Sequence, residues 1–389
     1  MISLGGLATC VNARIEQEIC LVGKSGRFEN IDGLRAIAAC LVIWLHVAEI
    51  FSQLGNQASS WLHTVPVTLD FGRTGVLVFF LISGFLIPSS LKGERVEGLR
   101  KFAIRRFFRL YPLYWVSIPL SLVTMWWLYD RQADWQTLVF NLTMIQHKLG
   151  YQDISGLYWT LKIELYFYLI CALMFALKLL DRERVILGAV LLIIPVHLLL
   201  KIGGGRSIDM MVLPAHDVAF ISMMFLGAVI RRLVDGRLSS PGRIILGAIC
   251  LLVCLGILAA LLYHSMVFEA TSARVLKLLL PYPIALGIFL LFVLRGLSWR
   301  PLSWLGEISY SLYLMHPVVF YTLYWAILQT DEASWLRQLS LPVYMVFVFA
   351  AIIAFCALTY RFIEAPMIAL GQRLSRKPML VAQAQALTA

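Results

Sequence analysis

The feature that most constrains this chain is a succession of apolar runs, each near the length that crosses a bilayer as a helix. A helical span needs about 20 predominantly apolar residues. Such runs fall at 33–53, 74–91, 110–129, 157–178, 185–201, 216–231, 244–263, 278–294, 306–328 and 341–362. Of the 389 residues, 60% are hydrophobic and only 14% charged, too few charges to cover a soluble domain of this size. The expected fold is all-α: a polytopic integral membrane protein of about ten transmembrane helices, with both termini on one side.

Lysine and arginine decide which side. With the N-terminus inside, the cytoplasmic segments carry 23 of the 33 Lys and Arg residues and the outer segments 8, so both termini are expected in the cytoplasm. The net charge of +11 then mainly reports topology, and scattered basic residues on inner loops argue against a nucleic-acid groove. The seven cysteines lie mostly inside apolar runs with no CxxC pair, so neither a disulfide framework nor a metal site is expected. The first 28 residues lack the basic start and apolar core of a cleaved leader.

Ionisable residues inside apolar spans are costly and mark functional sites. In the stretch DGLRAIAACLVIWLH (32–46), Arg35 and His46 lie inside the span that begins at residue 33. Eleven residues is three turns plus about 20°, so both share a helix face about 16 Å apart along the axis. Asp32 and Glu49 lie on the same stripe. Arg35 alone also fits a snorkelling interfacial residue; His46 lies deeper and needs a polar partner. In YWTLKIELYFYL (158–169), Glu164 falls at about the depth of His46 and is a candidate to orient its imidazole, although a charge-balancing partnership with Lys162 is the plainer reading. In SYSLYLMHPVV (309–319), His316 lies near the midplane, and Pro317 frees the carbonyl of residue 313, which a structural kink alone would also explain.

On the inner side, LRKFAIRRFFRLYP (99–112) places Arg105, Arg106 and Arg109 within about one turn among phenylalanines. It reads as an interfacial amphipathic helix on anionic headgroups, or as a cationic platform whose guanidinium forks match phosphate geometry. GGGR (203–206) lacks the end of a P-loop, and Asn141-Leu-Thr143 is a sequon by pattern only.

Taken in chain order, these stretches resemble the acyltransferase 3 family of bacterial integral-membrane acyltransferases. The resembling motifs are DGLRAIAACLVIWLH, FFLISGFLI (79–87), RRFFRLYP, YWTLKIELYFY, SYSLYLMHP and YRFIEAP (360–366). One departure is Leu77, where many relatives carry an acidic residue. The resemblance spans the membrane domain expected at 29–370, between a short cytoplasmic segment (1–28) and a cytoplasmic tail (371–389). It implies transfer of an acyl group, acetyl by default, from cytoplasmic acyl-coenzyme A to a hydroxyl of an extracytoplasmic or lipid-linked glycan, in a bacterial inner membrane and without a metal. On that reading Arg35, Arg105, Arg106, Arg109 and Ser83 bind the donor. His46 is general base or acyl carrier, Glu164 orients it, and His316 serves the acceptor. The competing expectation is a glycan-precursor flippase using the same charged seam.

Overall fold

The computed structural model describes residues 29–54, 59–191, 215–249, 277, 279–297 and 299–376. Within them every regular element is helical. Among the described residues five helices are long and apolar enough to cross a membrane, and a sixth span follows if Pro281–Arg295 and Arg300–Glu307 are one broken crossing. Most of the expected span 244–263, and the part of 185–201 beyond residue 191, lie outside the described residues, as does GGGR.

The α-helices with both ends among the described residues are α1 (Glu29–Phe51), α2 (Trp61–Thr68), α3 (Phe71–Ser90), α4 (Arg95–Met125), α5 (Trp135–Asn141), α6 (Tyr158–Ala176), α7 (Ala215–Val234), α8 (Pro281–Arg295), α9 (Arg300–Glu307), α10 (Ser309–Leu328), α11 (Leu341–Thr359) and α12 (Ala365–Arg376). The chain divides into two compact units. The first comprises Met1–Cys40, Arg73–Leu86 and Arg182–Glu307; the second Leu41–Gly72, Ile87–Asp181 and Ile308–Ala389.

In the first unit, glycines set how closely helices approach. A Cβ on Gly84 of α3 would lie 1.7 Å from the Met224 carbonyl oxygen of α7, and one on Gly227 would lie 2.2 Å from that of Leu81. Such backbone-to-backbone contact is how helices associate in lipid, where no hydrophobic effect drives them together. The Gly84 of FFLISGFLI is therefore a packing residue. Flanking rings complete the contact: Phe80 on Phe220 and Phe85 on Phe289. The first turns of α1 meet α8 and α9 similarly, with Gly306 against the Asp32 carbonyl and Asn30 Nδ2 donating to Phe292 O at 3.3 Å.

In the second unit, α10 packs against α4 and α11, and α12 against α4. Helix α4 differs from expectation. The basic stretch and the third span form one continuous 31-residue helix that runs through Pro112 and Pro119, and Glu97 supports its first turns by pairing with Lys101 at 3.2 Å. The tenth span also runs on: five π-helical residues, Tyr360–Glu364, join α11 to α12. Helix α2 was not expected. Trp44 holds it, its indole N–H donating to Leu62 O at 2.9 Å while the ring meets Trp61 and Phe71 edge-on.

The segment between α4 and α6 is organised by Asn141. Its amide donates to Thr137 O and Gln152 O and its oxygen accepts from the Ile154 N–H, so this buried side chain ties the backbone of α5 to that of the loop at 152–154. The sequon asparagine is a structural hub.

Candidate functional site

Two polar centres lie in the second unit, both built on α10. In the first, the rings of His46 (α1) and His316 (α10) lie 5.6 Å apart, centroid to centroid, and within 19° of parallel. Phe320, one turn beyond His316, closes on both rings at 6.4 and 5.7 Å. The two histidines that the sequence placed in separate spans are thus neighbours.

Their surroundings differ. His316 is fully buried. Its Nδ1 lies 3.0 Å from Leu312 O and 2.9 Å from Tyr313 O, both acceptors only, so Nδ1 carries the proton. In the neutral ring Nε2 then holds the lone pair, and it is buried with no hydrogen-bond partner among the described residues. His46 keeps a third of its side chain exposed, and its Nδ1 lies 3.9 Å from Glu49 Oε2. The charge of Asp70 also reaches this ring. Asp70 is nearly buried and holds a left-handed backbone (φ 45°) at the turn into α3, a conformation that stores strain in a residue with a side chain. No motif pointed to it.

Glu164 has a partner on its own helix. It accepts a 2.6 Å hydrogen bond from the Tyr168 hydroxyl one turn along α6. Its span meets α10 through Thr160, whose hydroxyl lies 2.8 Å from that of Tyr313.

The second centre gathers the arginines of α4. Arg109 Nη1 lies 3.2 Å from Oε1 of Glu364, whose side chain is 1% exposed, and the Arg109 guanidinium sits over the Tyr310 ring. Ser311 donates to Glu364 Oε2 at 2.7 Å. Arg106 donates to Ser90 Oγ at 3.1 Å and lies over the rings of Phe102 and Tyr168. Arg105 donates to Ser375 Oγ of α12 at 3.0 Å. Each fork is therefore held in place by protein groups. Glu364 is the residue sequence reasoning left without a role, although it stands in the YRFIEAP motif. Ser311 and His316 are five residues apart on α10, so the two centres are separated by about 8 Å along that helix.

Arg35 and Ser83 belong to the first unit. Arg35 Nη1 pairs with Asp32 Oδ1 at 3.1 Å, and Ser83 is half-buried in α3 beside Gly84. Among the described residues no three His, Cys, Asp or Glu side chains are grouped to hold a metal ion.

Residues 28–361 match the family described as Acyltransferase domain. Among curated proteins, YrhL of Bacillus subtilis is 29% identical over 385 residues, covering 88% of this chain and 55% of its own. The peptidoglycan O-acetyltransferase OatA of Listeria monocytogenes is 27% identical over 381 residues, covering 87% and 55%. Nodulation protein 10 of Rhizobium leguminosarum is 29% identical over 181 residues, covering 38% and 44%. The chain spans about half the length of the curated relatives it matches. No solved structure matches it.

Proposed function

From the premise that this multi-pass membrane protein belongs to the acyltransferase-domain family, we propose that it transfers an acyl group, acetyl first among candidates, from cytoplasmic acyl-coenzyme A to a hydroxyl of a cell-envelope glycan. The name of the Listeria relative supports peptidoglycan as an acceptor to try first. The charge bias of the loops supports ten spans in a bacterial inner membrane with both termini in the cytoplasm.

The observation that carries the reading is the pair of stacked imidazoles, His46 and His316, inside a helix bundle. Acyl transfer to an alcohol needs a proton taken from the hydroxyl as its oxygen attacks the carbonyl carbon. Neutral imidazole supplies that base, and two adjacent rings allow one to serve each substrate. In our reading His46 meets the thioester, as general base or as acyl carrier, and His316 serves the acceptor hydroxyl. Arg105, Arg106 and Arg109 hold the donor's phosphates, an assignment supported by their position on the basic, inward-facing part of α4. Arg35 and Ser83 are assigned to the donor as well. Glu164 and Glu364 act as positioning residues for the arginine centre, Glu364 through Arg109 and Glu164 through Tyr168.

The test is direct. The full chain, reconstituted in lipid nanodiscs with radiolabelled acetyl-coenzyme A and a peptidoglycan-derived saccharide, is expected to move label to the saccharide as a base-labile ester. Label that stays on coenzyme A with every saccharide tried, while the unlabelled saccharide crosses vesicle membranes, would favour transport instead.

A further inference from the structure

The sequence His316-Pro317 has a consequence beyond a bend in α10. In a helix each N–H bonds the carbonyl four residues earlier. Proline has no N–H, so residue 317 leaves the Tyr313 carbonyl without its main-chain donor. A buried carbonyl stranded in this way must find another donor. The ring of the residue before the proline supplies one, since His316 Nδ1 lies 2.9 Å from Tyr313 O. The adjacent Leu312 carbonyl, at 3.0 Å, reinforces the same choice.

We infer that Pro317 is a positioning residue for acyl transfer: the carbonyl it strands locks His316 as the Nδ1–H tautomer, which leaves Nε2 as the proton acceptor for the glycan hydroxyl. This rests on the acyltransferase reading above. Three observations converge on it. Nδ1 faces two oxygens and can only donate there. Nε2 is buried and has no partner among the described residues. The second imidazole, His46, is stacked on the first at 5.6 Å, where the acyl group would be met.

The step balances simply. The hydroxyl oxygen bonds to the carbonyl carbon as its proton moves to His316 Nε2. The bond from that carbon to its leaving atom breaks, whether that atom is coenzyme A sulfur or a nitrogen of acylated His46. The proton on Nε2 then passes to the leaving atom, which restores the free base. The opposite tautomer, with hydrogen already on Nε2, could not begin this cycle. A helix without Pro317 would let a main-chain N–H compete for Tyr313 O, and the imidazole would be free to exchange tautomers or swing away.

The experiment uses the full chain in nanodiscs with ring-labelled nitrogen-15 histidine. Nitrogen-proton correlation spectra read which ring nitrogen is protonated, and the His316 signals are assigned by their loss in His316→Asn. The parent is expected to show His316 protonated at Nδ1 alone. In Pro317→Ala the spectrum should move toward a tautomer mixture, and kcat for acyl transfer should fall roughly three- to tenfold with KM for both substrates unchanged. A parent His316 protonated at Nε2 would overturn the inference, as would an unmoved kcat when the tautomers mix. If Pro317→Ala does not fold, the parent spectrum alone still decides the tautomer. A parent with the expected spectrum and no acyl transfer would instead refute the functional reading and leave the lock standing.

Discussion

Arg109 and Glu364 form an ion pair at 3.2 Å, the carboxylate almost wholly buried and the pair held from both sides by Ser311 and the Tyr310 ring. Neither residue is near the other in sequence, and together they fasten α4 to the π-helical turn beyond α11. Taking one partner away strands the other charge. Arg109→Ala is therefore expected to destabilise the protein by about 3–5 kcal/mol, and the combined change Arg109→Met with Glu364→Leu by much less. Thermal unfolding of the three proteins in one detergent measures this, and equal losses in the single and double variants would show that a stranded charge is not the cause of the loss.

The arginine centre should separate donor binding from turnover. Arg105→Ala and Arg106→Ala remove forks anchored on Ser375 and Ser90. Each is expected to raise KM for acetyl-coenzyme A by roughly three- to tenfold while kcat stays within about twofold, the pattern of lost uniform binding. A change in melting temperature with unchanged KM would mean that the centre is structural only.

The crossing of α3 and α7 should tolerate no side chain at its two glycines. Gly84→Ala and Gly227→Ala each put a Cβ against main-chain oxygen, at 1.7 and 2.2 Å before relaxation. Overpacking of this kind costs about 1–3 kcal/mol, readable as a drop in melting temperature. Gly247, whose Cβ position meets nothing among the described residues, serves as the control expected to accept alanine without that clash.

A pH effect is expected at the start of α5. Asp134 caps that helix by accepting from the Thr137 N–H at 3.0 Å, and hydrogen bonds from the Thr137 hydroxyl and amide hold its carboxyl below the usual range. A carboxyl lowered on folding stabilises above its unfolded pKa, about 3.9 for Asp, and that contribution is lost as pH falls through the lower folded value. Melting temperature should therefore fall more steeply in the parent than in Asp134→Asn as pH drops below about 4. Parallel curves would remove the charged cap from the account.

How much of this was legible beforehand follows from what each residue contributes locally. Helices α1, α3, α6, α10 and α11 were readable because an apolar run of span length has few other ways to satisfy its backbone. His46 and His316 stood out because a bilayer penalises them, but nothing in their spacing tells that their rings meet, since that depends on how α1 and α10 pack. Glu164 was matched to His46 by depth alone. Depth leaves the direction around the helix undetermined, whereas the four-residue spacing to Tyr168 puts the partner the carboxylate does have on its own helix. Glu364 was hidden for a similar reason: it ends an apolar run, where a carboxylate usually faces water, and only the π-helical turn carries it inward. Helix α2 was missed because eight residues containing Pro66 give a weak helical signal, and the indole of Trp44 that holds it lies in another element.

The most direct measurement for the central claim compares acetyl transfer by the parent, His46→Ala and His316→Asn in nanodiscs at equal folded concentration. Asparagine at 316 keeps a side-chain N–H where Nδ1–H donates but has no group in place of Nε2. The account expects His316→Asn to melt close to the parent and both variants to lose roughly a hundredfold or more in kcat. Transfer at the parental rate by either well-folded variant would contradict it.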